Sequence, residues 1–253
     1  MFAKYIFSVL CFFICSNISM AQAVNDNGLV DVASVEFIPM GFSVEHLTYW
    51  FGQYGYEEGV AVARLNILDL QTNRYVNNTP IVRKSTSDSD IAYYMWDKLI
   101  SDHTEFLKQD GILDPGILIW SMGPQQNGNG AIADWHSRMG QYGQIRLEKF
   151  DASQTTNNQD CKASKIFKLY YKDKSNGLER LIYQDDSLPK SRGCATDYRL
   201  RAIHAQERIN PTGYVVIIIS VYKEGGYLGT KEGKTVKIKR VSQYIAVPFF
   251  IAL

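Results

Sequence analysis

Four histidines, two adjacent carboxylate pairs and two late cysteines are the side chains with most chemistry to offer. The histidines stand at 46, 103, 136 and 204, and no two have the spacing of metal ligands on one helix or strand. His103 has Asp102 and Glu105 as neighbours, and a place on the solvated face of a helix is the simpler account of all three. Glu57-Glu58 and Asp185-Asp186 fall in turn-like segments. Neighbours on an extended chain point to opposite sides, so neither pair forms an acid–base couple by itself. The chain has no GxSxG elbow, P-loop, HExxH, CxxC or GxGxxG. The glycines of GQYGYEEG (52–59) lie between strand-like runs, whereas a phosphate cradle needs a helix N-terminus behind it. No catalytic residue, metal ligand or cofactor is assigned on these grounds.

Binding residues are easier to nominate. Residues 121–143 are rich in Gly, Asn and Gln and read as a long loop carrying Trp135, His136, Arg138 and Tyr142. Trp135, His136 and Arg138, with Tyr56 and Arg192 from elsewhere, make up the candidate binding surface. The competing account of Trp135 is a plug in the core beneath the loop.

The first 23 residues set the compartment. Lys4 precedes a 14-residue apolar run at 5–18, and small residues follow up to Ala21 and Ala23. That is the pattern of a secretory signal peptide with cleavage after Ala21 or Ala23, and the run falls short of the roughly 20 residues needed to cross a bilayer. The segment carries one of the 27 basic residues and none of the 26 acidic ones, so the rest of the chain is formally neutral. Neutrality argues against a general nucleic-acid binder. Cys161 and Cys194 remain after cleavage, and their simplest use in an oxidising compartment is one disulfide. Between them, two strand-like runs flank Ser175-Asn176-Gly177, a hairpin that would bring its ends together.

The elements that must position these residues are mostly strands. A first strand is expected at 32–38, ended by Pro39, then strands at 47–51 and 63–70 with Gly52, Gly55 and Gly59 in the turn between them. Residues 88–110 carry an apolar stripe of Ile91, Met95, Leu99, Ile100, Phe106 and Leu107 at helical spacing, with Ser87, Asp88 and Asp90 as capping choices and Gly111 as a stop. A short apolar run, ILIW, follows Asp114-Pro115-Gly116. Further strands are expected at 145–150, 166–172, 178–184, 198–205, 213–222, 235–240 and 243–250. GYVVIIISVY (213–222) reads as a central strand buried on both faces. The basic residues at 234–240 read as the solvated face of a hairpin or edge strand. The expected fold is mainly β (α+β): twisted antiparallel sheets or a β-sandwich with one prominent amphipathic helix. It spans 24–253 as one domain, or as two packed lobes dividing near 121–143.

Several blocks together resemble a known family. Gly41-Phe42-Ser43, Gln53-Tyr54-Gly55, Glu58-Gly59 and Asn66-Ile67-Leu68-Asp69-Leu70 are similar to the start of a bacterial family of predicted secreted proteins of unknown function. Asp114-Pro115-Gly116, the segment 188–194 with Tyr198, and Val221-Tyr222 continue the resemblance in order. It implies export and assigns no activity. Val44-Glu45-His46 replaces the tight Asp-Gly turn common in the family, so this hairpin turn must be longer or differently shaped. The first block also resembles one strand pair of a TolB-type propeller. It occurs once, and a propeller needs it several times over.

Export, neutrality, β content and the missing motifs favour a soluble periplasmic protein that binds an envelope protein or ligand without catalysis. The alternatives are an envelope-acting hydrolase with its site near Trp135-His136, and a purely structural or virulence-related secreted protein.

Overall fold

The computed structural model describes residues 30–33, 35–43, 45–57, 59–87, 90–109, 113–122, 131–136, 142–152, 163–206, 213–231 and 234–251. The expected signal segment, Arg138 and Cys161 lie outside the described residues.

Three sheets and one helical layer are stacked on one another. The central sheet runs in the order β1 (Val30–Ala33), β14 (Lys234–Ile251), β13 (Gly213–Lys231), β12 (Asp197–Ala205) and β7 (Ile117–Ser121). Only β1 is parallel to its neighbour; the other pairs are antiparallel. One face of this sheet meets a sheet ordered β2 (Val35–Ser43), β3 (Thr48–Glu57), β4 (Val60–Asp69) and β5 (Arg74–Tyr75), with β6 (Ile81–Lys84) also on β4. The other face meets the outer sheet, ordered β11 (Glu179–Gln184), β10 (Lys165–Asp173), β9 (Tyr142–Asp151) and β8 (Ile132–His136). Helix α1 (Ala92–Asp102) covers the far face of the β2–β6 sheet, and α2 (Thr104–Gln109) follows a break at His103.

The β-branched run of β13 explains the central position of its sheet. Val215, Ile217, Ile219 and Val221 pack with Phe167, Leu169, Leu147 and Trp135 of the outer sheet. Val216 and Ile218 pack with Phe42, Tyr49 and Phe51 of the opposite sheet. A strand with water on one side would alternate apolar and polar residues, whereas this one is apolar at nearly every position from 214 to 222. The expected two-faced central strand is therefore present, in an open stack of antiparallel sheets and not a propeller.

Local boundaries differ from expectation in several places, and the strands expected at 235–240 and 243–250 form the single strand β14. Strand β2 runs through Pro39 to Ser43, because the ladder to β3 shifts register between Pro39 and Gly41 and so absorbs the proline. Gly52 and Gly55 lie inside β3, and the turn falls later, around Gly59 at φ 87°. Gly52 is required for packing: any Cβ there would overlap the indole of Trp96, so the glycine lets α1 approach the sheet. Trp135 and His136 belong to strand β8, not to a loop. Helix α1 starts after Ile91 without a side-chain cap, and Asp90 instead accepts the Ser85 hydroxyl. The longer β2–β3 turn foreseen from Val44-Glu45-His46 joins Ser43 to its partner Thr48, with Leu47 at φ 50°.

Candidate interaction surface

Among the described residues, several exposed aromatic side chains gather where the end of β3 meets the start of α1. Successive residues of β3 point to opposite faces of the sheet, so Tyr54 and Tyr56 share the helix-side face with Trp50 and Gly52. Helix α1 buries Ala92, Met95, Trp96 and Leu99 against that face, packing with Ala61, Ala63, Leu65 and Ile67 of β4. This spacing leaves Tyr93 and Tyr94 on the outer side of the helix. Exposure is 45 % at Tyr56, 51 % at Ile91, 49 % at Tyr93 and 56 % at Tyr94.

Tyr54, Tyr93 and Tyr94 form a run of ring contacts. Tyr54 and Tyr93 meet edge to face, with ring centroids 5.8 Å apart and planes at 76°. Tyr93 and Tyr94 follow at 6.2 Å, and the Ala92 N–H donates to the Tyr56 hydroxyl at 3.4 Å. Glu36 on β2 is the cross-strand partner of Tyr54. Burial, with the charges of Glu36 and Asp97 and the neighbouring Tyr93, holds the Tyr54 phenol above its ordinary value. Tyrosine offers large, rigid contact area with a polar tip, and it is enriched where proteins bind one another.

The outer face of the opposite sheet is built differently. There Arg146 pairs with Glu148 and Glu179 and lies 4.2 Å above the Tyr170 ring. The exposed apolar residues of this face, Ile132, Phe150 and Leu181, share it with these ion pairs.

Among the buried polar residues, Arg192 and His204 stand in aromatic surroundings. Arg192, only 6 % exposed, sits in a short 3-10 turn (Lys190–Arg192) between the outer and central sheets. Its guanidinium donates to Asp185 Oδ2 at 2.6 Å and to the Tyr183 hydroxyl at 2.8 Å, while Tyr183 donates to Asp185 Oδ1 at 2.6 Å. The Phe167 N–H donates to the same carboxylate at 3.1 Å. The rings of Phe167, Tyr198 and Tyr183 surround the cation. The second group is His204 on β12, 5 % exposed among the rings of Phe37 and Tyr49. Burial drives its pKa down to about 4, and burial likewise pushes the Tyr49 phenol up.

The residues nominated from sequence are therefore spread across the molecule. Tyr56 lies in the tyrosine cluster on the helix-side sheet. Trp135, 3 % exposed, packs beside Tyr171 under the outer sheet. His136 ends β8 beside Tyr142 of β9. Arg192 is tied to Asp185 in the interior, and Arg138 lies outside the described residues. Sequence reasoning passed over Tyr54, Tyr93 and Tyr94. The signal was there, because two adjacent tyrosines interrupt the polar side of an otherwise regular amphipathic helix.

The stacked open sheets, covering helix and surface tyrosine cluster define a β-sheet protein that is neither barrel nor propeller. The chain belongs to the family described as predicted secreted protein (DUF2259), whose model matches residues 50–231. That description supports an exported protein. No curated protein and no solved structure matches the chain. Among the described residues, no helix is long and apolar enough to cross a membrane.

Proposed function

We propose that this exported protein is a non-enzymatic interaction protein of the periplasm, and that it contacts an envelope partner through Tyr54, Tyr56, Ile91, Tyr93 and Tyr94. The observation that carries the reading is that four large side chains, each about half exposed, stand on one helix–strand junction, where the Tyr93 ring meets those of Tyr54 and Tyr94. An exposed aromatic cluster of this kind costs solubility unless something covers it.

The compartment reading extends to Cys161 and Cys194 as one disulfide. Cys194 is disulfide-bonded, and the Lys165 N–H donates to the Ala195 carbonyl at 2.8 Å, which sets the segments following the two cysteines side by side. The shared central sheet, apolar on both faces, favours a single domain over separable lobes.

The test is co-purification from the exporting cell. Wild-type protein should retain a discrete partner that Tyr93→Ser/Tyr94→Ser loses and Leu181→Ser, on the opposite face, keeps. Equal retention by all three proteins would refute the contact surface.

A further inference from the structure

We propose that the tyrosine cluster takes a basic segment of its partner polypeptide, with an Arg or Lys side chain lying along Tyr54 and Tyr93 between Glu36 and Asp97. The inference rests on the cluster being the contact surface and adds the chemistry of what it contacts.

The geometry places two carboxylates around two rings. Glu36 stands opposite Tyr54 on neighbouring strands. Tyr93 closes on Tyr54 edge to face, and Asp97 follows Tyr93 by four residues on α1, one turn further along the same side. Both carboxylates are exposed, and among the described residues neither forms an ion pair. Beside its burial, both carboxylates hold the Tyr54 phenol above its ordinary value, which agrees with their standing near that ring.

Tyrosine faces attract cations through the ring quadrupole, and guanidinium groups stack on them as well. Flanking carboxylates add attraction and orient the cation. A neutral sugar could use the rings but would gain nothing from the two charges. An anionic lipid headgroup or acidic segment would be repelled by them. Lys98 is exposed four residues after Tyr94, so the acidic edge lies on the Tyr54–Tyr93 side and the partner's basic residue is directed there.

The experiment is an amide NMR titration of the exported protein with a capped Arg-Gly-Arg-Gly-Arg peptide and its Glu counterpart. The Arg peptide should shift amides around residues 36, 54 and 92–97, and the Glu peptide should leave them in place. Glu36→Gln/Asp97→Asn should bind the Arg peptide about three- to ten-fold more weakly with its melting temperature unchanged. Unchanged binding by that variant, or shifts scattered over the whole surface, would overturn the proposal. Where Tyr93→Ser/Tyr94→Ser loses the cellular partner and Glu36→Gln/Asp97→Asn keeps it, the surface stands and the basic segment is refuted. Where the tyrosine variant keeps it too, the contact surface itself is refuted.

Discussion

Gln53 and Tyr244 exchange two hydrogen bonds across the two sheets that meet at the centre of the molecule. The Gln53 amide donates to the Tyr244 carbonyl at 2.9 Å, and the Tyr244 N–H donates back to Gln53 Oε1 at 2.7 Å. Gln53 is buried on β3, and Tyr244 lies on β14 beyond the last residue paired to β1. A side-chain amide thus replaces the neighbouring strand that β14 lacks at this point. Backbone groups left unpaired in the interior are expensive, so the contact fixes how the two sheets meet. Gln53→Leu should cost about 2–4 kcal/mol of unfolding free energy, because it strands a donor and an acceptor together. Urea unfolding measures this, and a loss near zero would show that the sheets are held by apolar packing alone.

Arg192 and Asp185 should prove inseparable. Removing either partner leaves the other charged and buried, at a cost of about 3–5 kcal/mol. Arg192→Lys should also destabilise, because one ammonium cannot reproduce the paired donation to Asp185 and Tyr183 or lie flat among three rings. The check is the denaturation midpoint of Arg192→Met, Arg192→Lys and Asp185→Asn. A wild-type midpoint in Arg192→Lys would show that charge alone suffices there.

His204 should make the fold acid-sensitive. Its folded pKa of about 4 lies below its ordinary 6.5 because burial disfavours the imidazolium. The unfolded chain therefore binds the extra proton between those values, and stability must rise with pH across them. The contribution is complete above about pH 6.5 and is lost as pH falls towards 4, amounting to about 3 kcal/mol at most. His204→Phe, which suits the surrounding rings, should flatten this part of the stability profile in urea titrations at pH 7 and pH 4.5. An unchanged slope would assign the acid sensitivity to other groups.

Much of the fold can be read along the chain because its signals are local. The unbroken apolar run at 215–219 could only be a strand covered on both faces. The stripe Met95–Leu99 marked one side of α1, and Ser175-Asn176-Gly177 marked the turn between β10 and β11. Distant relationships were harder to see. Gly41 and Asp114-Pro115-Gly116 stand out as separate sequence blocks, yet Phe42 and Asp114 exchange backbone hydrogen bonds at 2.6 and 2.7 Å. Any Cβ at Gly41 would overlap the Asp114 carbonyl. Asp185 reads from the sequence as half of a carboxylate pair in a turn, and Arg192 as a binding residue. Their pairing depends on the fold bringing residue 192 beneath the outer sheet, which no local pattern encodes. Gly52 suggested a turn because its partner, the Trp96 ring, lies 44 positions later in the sequence. That Tyr54 and Tyr93 share a surface likewise depends on how α1 lies across the end of β3.

The contact surface is tested most directly by photo-crosslinking in the exporting cell. A photoreactive residue placed at Tyr94 should give a single discrete adduct, and the same residue at the comparably exposed Leu181 on the opposite face should give none. Identical adduct patterns at the two positions, or no adduct at Tyr94, would contradict the account.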